Sequence, residues 1–86
     1  MMYHVYILKS SKDNSLYIGY TNNIVRRMDE HNAGLVEYSK KLKPWKLVYY
    51  ESFSSLEDAK LREKNLKYFG KAYGQLKGRI KSSLNM

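Results

Sequence analysis

Residues 3–20, YHVYILKSSKDNSLYIGY, decide the fold because two short stretches rich in β-branched and aromatic side chains flank a polar turn. The first stretch, Tyr3 to Leu8, and the second, Leu16 to Tyr20, each have the length and composition of a β-strand. So few residues separate them that an antiparallel hairpin is the economical connection. The hairpin predicts that Tyr6 and Tyr17 lie on neighbouring strands.

The rest of the chain predicts one more strand and several helices. The predicted elements are a helix from Thr21-Asn22-Asn23 to Ala33 that Gly34 ends, a strand from Lys46 to Phe53, a helix from the capping box Ser54-x-x-Glu57 to Phe69, and an amphipathic last segment through Tyr73, Leu76, Ile80 and Leu84. Residues 35–43 are compatible with a short helix or a loop. We therefore expect residues 1–86 to form a single α+β domain with a small antiparallel sheet flanked by helices.

The charge of the chain is strongly positive and unevenly distributed. Sixteen Lys and Arg residues against eight Asp and Glu give a formal net charge of +8. After Glu63 there are no acidic residues and six basic ones, namely Lys64, Lys67, Lys71, Lys77, Arg79 and Lys81. A lopsided positive field favours a polyanionic partner, nucleic acid above all, although a soluble basic surface without such a partner has the same composition.

The composition also limits where the protein is expected to work. No cysteine is present, which excludes disulfides and thiolate metal sites and favours the reducing cytoplasm. The first twelve residues contain only a short apolar stretch, interrupted by His4 and Lys9, which is too short for a signal peptide or a membrane span. We expect a cytoplasmic protein that does not enter a membrane.

Arg27 and His31 are four residues apart on the first predicted helix, so both side chains project from one side of it. A guanidinium can hold a phosphate oxygen, and an imidazole with an ordinary pKa near ~6.5 exchanges a proton at neutral pH. The pattern indicates an anion site, but a charged, solvated helix face would have the same spacing.

Glu63 interrupts the apolar face of its predicted helix. A helical wheel places it in the same arc as Leu56, Ala59, Leu66 and Phe69. Because an unpaired buried carboxylate is costly, Glu63 should meet a cation, either Arg27 or Lys67 as a structural partner or a divalent metal. A single carboxylate fits Mg²⁺ that is held also by waters and a substrate phosphate.

The tyrosine pair is the remaining candidate. If the hairpin register allows, Tyr6 and Tyr17 present their phenol oxygens on one face of the sheet, although half-buried strand tyrosines without a chemical role are the simpler alternative. Free phenols titrate near ~10, so either group needs a nearby cation or metal to act as a base. Gly19 leaves one sheet position without a side chain, which predicts the close approach of a ligand backbone.

Together these residues resemble the GIY-YIG nuclease superfamily. The similarity rests on His4-Val5-Tyr6, then ten residues to Tyr17-Ile18-Gly19, then Arg27-x-x-x-His31 and a later helical Glu63, and it spans Tyr3 to about Phe69. The chain looks most like the small stand-alone bacterial members. The resemblance implies a three-stranded antiparallel sheet flanked by helices, and a metal-dependent endonuclease that hydrolyses phosphodiester bonds, in DNA rather than RNA, in repair or processing.

The resemblance also implies roles for individual residues. Glu63 would bind the metal, Mg²⁺ or Mn²⁺, Arg27 would stabilise the phosphate, and Tyr17 would orient or deprotonate the attacking water. Tyr6 would help to position water or phosphate, and His31 occupies a place where relatives have histidine or tyrosine. The expected nucleic-acid-binding residues outside this set are Arg26, Lys64, Lys67 and Lys71.

Two departures from the family pattern bear on this assignment. His4 stands at the first glycine of the family name, and Tyr20 stands where excision-repair relatives have a lysine. The second difference removes a cation that would lie beside Tyr17. Judged by ordinary side-chain pKa values alone, His31 is the better general base at neutral pH.

The alternative function is a nucleic-acid-binding domain that cuts weakly or not at all. Specificity would come from shape or from a protein partner.

Overall fold

The computed structural model describes all residues from 1 to 86. Its elements, in chain order, are β1 (Tyr3–Ser10), β2 (Leu16–Thr21), α1 (Ile24–Asn32), a 3₁₀ turn (Lys40–Leu42), β3 (Trp45–Phe53), α2 (Leu56–Tyr68), α3 (Gly70–Arg79) and α4 (Lys81–Leu84). The expected α+β class with three antiparallel strands is confirmed. No helix is long and apolar enough to cross a membrane.

The sheet has the strand order β2-β1-β3, so the first strand of the chain lies in the centre. Val5 to Leu8 are buried on both faces, which explains why these four successive positions are all apolar or aromatic. In the hairpin register Tyr6 lies opposite Gly19, and Leu8 lies opposite Tyr17. Because Tyr6 and Tyr17 are two positions apart diagonally, both side chains project from the same face.

Each face of the sheet has its own core. On one face Val5 and Ile7 pack with Ala59 and Leu66 of α2 and with Leu76 of α3. On the opposite face a second cluster packs against α1, with buried members Tyr6, Leu8 and Trp45 and partly buried neighbours that include Tyr17, Ile24 and Met28. Successive side chains of β1 therefore enter opposite cores, which separates the face of the sheet with Tyr6 and Tyr17 from the face that packs against α2.

The ends of α1 follow the predicted capping residues. The Asn23 side chain accepts a hydrogen bond from the backbone N–H of Arg26 at 3.0 Å. At the other end Gly34 has a φ of 78°, the left-handed conformation that glycine adopts most easily. Local sequence signals therefore determine where this helix begins and ends.

The start and the apolar face of α2 differ from the prediction. Its N-cap is Ser55, whose hydroxyl accepts from the N–H of Asp58, and not Ser54. Leu56 and Phe69, at the two ends of the predicted apolar arc, are 36% and 57% exposed. The helix ends at Tyr68 because Phe69 has an extended backbone, and this break allows α3 to pack back onto the sheet. A helical wheel contains no information about such a break.

Candidate active site

The side chain of Tyr6 lies across the backbone of Gly19 on the neighbouring strand. A Cβ atom added to Gly19 would lie 2.5 Å from the Tyr6 hydroxyl oxygen and 3.2 Å from the Tyr17 ring, distances too short for real contacts. The rings of Tyr6 and Tyr17 are stacked, with their centroids 6.4 Å apart. The expectation that Gly19 makes room for a ligand backbone was wrong, since the space is filled by Tyr6.

A chain of hydrogen bonds runs through Tyr6 into the protein interior. The Tyr6 hydroxyl lies 2.9 Å from His31 Nε2, and His31 Nδ1 lies 2.7 Å from the Ser39 hydroxyl. At one end Arg27 Nε donates to Tyr6 at 3.4 Å, and at the other Ser39 donates to the Val36 carbonyl at 3.4 Å.

The four contacts are all hydrogen bonds at once in one arrangement of the protons. Ser39 has a single hydroxyl proton, so when it donates to the Val36 carbonyl it accepts from His31 Nδ1–H. A neutral imidazole then accepts at Nε2, and Tyr6 donates to it. With this arrangement each donor has an acceptor, and no buried side-chain polar atom lacks a partner.

His31 is fully buried and is held as a neutral imidazole. Burial is the main cause that lowers its pKa from 6.5 to about 4, and the positive charge of Arg27 lowers it further. Both ring nitrogens are engaged, and the ring also packs edge-on against Tyr17 with centroids 4.9 Å apart. Arg27 and His31 do project from one side of α1 as predicted, but they meet the Tyr6 hydroxyl there.

Tyr6 is buried as well, and burial raises its pKa to about 12 despite the hydrogen bond from Arg27. A phenol with this pKa keeps its proton at neutral pH. Tyr17, by contrast, is only partly buried and remains in contact with the surface. Of the two tyrosines, Tyr17 is therefore the one that a substrate or a water can reach.

Arg27 is fixed at two of its three guanidinium nitrogens. Nε donates to Tyr6, and Nη1 forms an ion pair with Glu30 at 3.0 Å. These contacts outweigh desolvation and raise the arginine pKa, so the group is permanently charged. Nη2 forms no hydrogen bond within the protein. The side chain is 35% exposed, which leaves this nitrogen as a donor for an anion from solvent.

Glu63 pairs with Lys67 one turn further along α2. Lys67 Nζ lies 3.3 Å from Glu63 Oε2, and the glutamate side chain is only 18% exposed. Of the partners considered from the sequence, the structure has Lys67. The same Nζ atom lies 5.9 Å from the centroid of the Tyr17 ring. Lys67 thus links the carboxylate to the tyrosine pair, and the negative charge of Glu63 contributes to raising the Tyr6 pKa.

The other expected nucleic-acid-binding residues occupy different parts of the surface. Arg26 donates to Asn22 and lines an open cavity of about 400 Å³ that also contains Arg27 and Tyr20. Lys64 is exposed on α2, and Lys71 lines a separate groove with Phe69. Among the four expected residues, Lys67 alone contacts the tyrosine pair. The roles of all four in binding remain predictions.

Two residues that sequence reasoning missed support the site from behind. Ser39 is fully buried and holds His31, while its carbonyl accepts from Trp45 Nε1 at 2.9 Å. Asn32 bonds both the N–H and the carbonyl of Trp45, which joins the end of α1 to β3. Ser39 lies in residues 35–43, for which the sequence predicts no single element, and Asn32 is a polar residue near the end of a predicted helix, so no signal in the sequence points to them.

The side chains at the site suit a metal ion that takes few of its ligands from the protein. No group of three or more His, Cys, Asp or Glu side chains could form a cage. Glu63 is instead a single, mostly buried carboxylate that is already neutralised by a cation at 3.3 Å. A divalent ion bound by Glu63, waters and a substrate phosphate is compatible with these residues.

The fold is that of a domain of a nuclease family. The family model described as the GIY-YIG catalytic domain matches residues 2–73. The chain belongs to the GIY-YIG family.

Within that family the chain is similar to UPF0213 proteins. The one from Staphylococcus haemolyticus is 49% identical over 70 residues, which cover 80% of this chain and 84% of the relative. The one from Clostridium perfringens is 46% identical over 67 residues, 77% and 71% of the two chains. The solution NMR structure of a UPF0213 protein from Bacillus halodurans is 32% identical, with a TM-score of 0.57 over 96% of this chain and 93% of the other. The expected similarity to small stand-alone bacterial members is confirmed.

Proposed function

We propose that this protein is a divalent-metal-dependent endonuclease that hydrolyses phosphodiester bonds in DNA. The observation that carries the proposal is the junction at Lys67, whose ammonium group contacts both the Glu63 carboxylate and the ring of Tyr17. Lys67 therefore connects α2 with the face of the sheet that carries Tyr6 and Tyr17. On that face Arg27 has one guanidinium nitrogen without a hydrogen bond in the protein. Family membership supports the nuclease class, and the net charge of +8 supports a nucleic-acid substrate.

In this proposal the residues divide into those that touch substrate and those that position them. Arg27 Nη2 binds the scissile phosphate and stabilises the negative charge of the transition state. Tyr17 orients or deprotonates the attacking water. Tyr6 and His31 are positioning residues, because both are buried and their polar atoms already bond to each other, to Arg27 and to Ser39.

Glu63 would hold the divalent ion, Mg²⁺ or Mn²⁺, which supplies additional positive charge at the phosphate when bound. The surroundings of His31 favour Tyr17 as the group that contacts water, since both imidazole nitrogens are engaged and the ring is fully buried. Lys67 also supplies a cation near Tyr17, where excision-repair relatives have a lysine at the position that Tyr20 occupies in this chain. The Lys67 ammonium group places a positive charge 5.9 Å from the centroid of the Tyr17 ring.

Plasmid nicking tests the proposal. Purified protein is incubated with supercoiled plasmid and with branched DNA, in Mg²⁺ and in Mn²⁺, and nicked product is followed over time. We expect metal-dependent nicking that falls about 100-fold or more in Glu63→Gln and in Arg27→Lys, the range seen when a transition-state contact is lost. Glu57→Gln removes the same charge from the first turn of α2 and should cut like the wild type.

Nicking by Glu63→Gln at the wild-type rate, or no nicking of any substrate by the wild type, would contradict the proposal. The second result would favour a nucleic-acid-binding protein that does not cut. The observation in favour of this second candidate is that Lys67 already neutralises Glu63. It predicts salt-sensitive DNA binding that Glu63→Gln leaves unchanged.

The proposal extends to the setting of the reaction. We place the activity in the repair or processing of DNA in the cytoplasm, with a protein partner that supplies specificity. The supports are the family and the absence of cysteine.

A further inference from the structure

An apolar groove lies directly beside Tyr17. It is about 300 Å³ in volume and is lined by residues from β2, α2 and α3, namely Leu16, Tyr17, Ile18, Leu66, Lys67 and Tyr73. Five of the six residues are apolar or aromatic. Tyr17 therefore lines this groove and also contacts the rings of Tyr6 and His31.

A lysine ammonium group lies beside each of the two tyrosine rings that line the groove. Lys67 Nζ lies 5.9 Å from the centroid of the Tyr17 ring, and Lys77 Nζ lies 4.5 Å from the centroid of the Tyr73 ring. Both distances are within the range of cation–π contacts. The groove thus has an apolar floor and aromatic walls, with a positive charge beside each aromatic ring.

This combination matches one nucleotide of a nucleic-acid strand. A nucleobase is flat and can stack on aromatic rings, and the phosphates on its two sides carry the negative charges that the lysines would meet. Inside a duplex both faces of a base are covered by its neighbours. A base can enter the groove only after it has left the stack, which is least costly where it is already unpaired.

We infer that the groove binds an unstacked nucleobase next to the scissile phosphate. The protein then prefers nucleic acid with an unpaired nucleotide at the cleavage site, such as a bulge or a flap, over a continuous duplex. The inference rests on the proposed function for the position of the scissile phosphate at Arg27. Stacking of one base on protein aromatic rings is typically worth about 1–3 kcal/mol, which corresponds to a roughly 5- to 150-fold preference.

Fluorescence of 2-aminopurine tests the inference without any cleavage. The full chain carrying Glu63→Gln is titrated, in the absence of metal, into a duplex with a single 2-aminopurine bulge and into the fully paired duplex. We expect the bulged DNA to bind at least fivefold more tightly, with emission quenched as the base stacks on the groove. Equal affinities, or a bulge whose emission does not fall on binding, would overturn the inference.

Substitutions in the groove test whether the unpaired base binds there. Tyr73→Leu keeps an apolar side chain and removes the ring, so it should abolish the quenching and weaken bulge binding about fivefold or more while duplex binding is unchanged. Leu16→Gln replaces an apolar wall of the groove by a polar side chain without a ring, so it should also weaken bulge binding, and it leaves the tyrosine in place. Tyr68→Leu, at a tyrosine that is 74% exposed on α2 and outside the groove, is the control. Preference for the bulge that survives both groove variants would contradict the assignment.

The two proposals can fail separately. Cleavage with no preference for unpaired nucleotides would overturn the groove assignment and leave the nuclease proposal intact. Quenching and bulge preference in a protein that never cuts would support the groove as a binding site and overturn the nuclease proposal.

Discussion

Tyr6 is the residue on which the polar interior of the site depends. Its hydroxyl is the only link between Arg27, at the surface, and His31, which is fully buried. The bond from Arg27 and the bond to His31 hold the phenol in one orientation, and the Gly19 backbone provides the space for its ring. The family pattern presents Tyr6 as catalytic, and in our proposal it is a positioning residue for its neighbours.

Replacement of Gly19 by alanine should be strongly destabilising. The added methyl group would lie 2.5 Å from the Tyr6 hydroxyl oxygen, so the ring must move and its bonds to Arg27 and His31 must weaken. Overpacking of this kind costs about 1–3 kcal/mol, measured as a loss in the free energy of urea unfolding. Gly74→Ala is the matched control, since nothing lies within 4 Å of its added Cβ and the position is helical. It should stabilise the protein by about 0.5–1 kcal/mol. Equal effects of the two changes would contradict the close contact.

His31 should make stability depend on pH between about 4 and 6.5. Its pKa is about 4 in the folded protein and 6.5 in the unfolded chain, so the unfolded chain binds an extra proton in this window. Stability is therefore highest above pH 6.5 and falls as the pH decreases towards 4, by up to about 3 kcal/mol. The groups facing His31 are Arg27, Glu30, Tyr6 and Ser39.

Urea unfolding from pH 4 to 7.5 measures this slope. His31→Gln should flatten it, whereas His4→Gln, at the other histidine, should retain it. A wild-type free energy of unfolding that is constant across the window would show that His31 titrates normally.

At the scale of elements, α2 carries the carboxylate of the site and the lysine that pairs with it. It begins at a serine cap, carries Glu63 and Lys67 one turn apart, and is joined to β3 by an ion pair between Arg62 and Glu51. Because Ala59 and Leu66 are buried against the sheet, the direction in which Glu63 projects is fixed by core packing. Small changes at the start of this helix should therefore affect stability before they affect chemistry.

The two adjacent serines before α2 should differ in their effect on stability. Ser55→Ala removes the cap bond to the Asp58 N–H and should cost about 1 kcal/mol in the free energy of unfolding. Ser54→Ala should change it by less than about 0.5 kcal/mol, because Ser54 is exposed and its hydroxyl contacts only the sulfur of Met2. Chemical denaturation of both variants at pH 7 provides the comparison. A larger loss for Ser54→Ala would restore the cap expected from the sequence.

Lys67 should compete with a metal ion for Glu63. Lys67→Met removes the ammonium group 3.3 Å from the carboxylate, so binding of Mn²⁺ should become tighter by about two- to fivefold, as expected for a partly exposed ion pair. Mn²⁺ titration followed by electron paramagnetic resonance measures this without substrate. Lys64→Met removes a charge from the same helix at an exposed position and should change the affinity less. Weaker Mn²⁺ binding in Lys67→Met would mean that the lysine supports the metal.

At the scale of the whole molecule, the distribution of charge decides which lysines meet nucleic acid. The six basic residues after Glu63 do not form one surface. Lys67 and Lys77 flank the groove beside Tyr17, and Lys71 lines a different groove. Arg79 lies near Tyr49 of β3, where burial raises the tyrosine pKa to about 12 and the charge of Arg79 opposes this rise.

Lys77→Ala and Arg79→Ala should therefore have different effects on DNA binding. Loss of a lysine that contacts a phosphate should lower the slope of log affinity against log salt concentration by about 0.7–0.9. Arg79→Ala removes the same charge from a position near β3 and should leave the slope nearly unchanged. Fluorescence anisotropy between 50 and 300 mM salt, chosen as roughly the range in which such slopes are linear, measures both. Equal slopes for the two variants would mean that binding responds to net charge alone.

The sequence by itself determined the order in which strands and helices follow along the chain, the capping residues of α1 and the family to which the protein belongs. These features depend on local alternation, on turn and capping residues and on motif spacing, all of which are visible along the chain. It also identified the five residues Tyr6, Tyr17, Arg27, His31 and Glu63. Their roles in catalysis remain predictions.

Only the tertiary structure decided how those residues divide between surface and interior. His31 and Tyr6 are buried, and Tyr17 is accessible to solvent, because β1 is the central strand of the sheet. The position of a strand within the sheet is set by long-range pairing, which local patterns do not contain. The same packing brings Ser39 to His31 and Lys67 to Tyr17 across large separations in sequence. Burial and partner choice depend on which elements pack together, so the pKa values of His31 and Tyr6 follow from the fold and not from the motif.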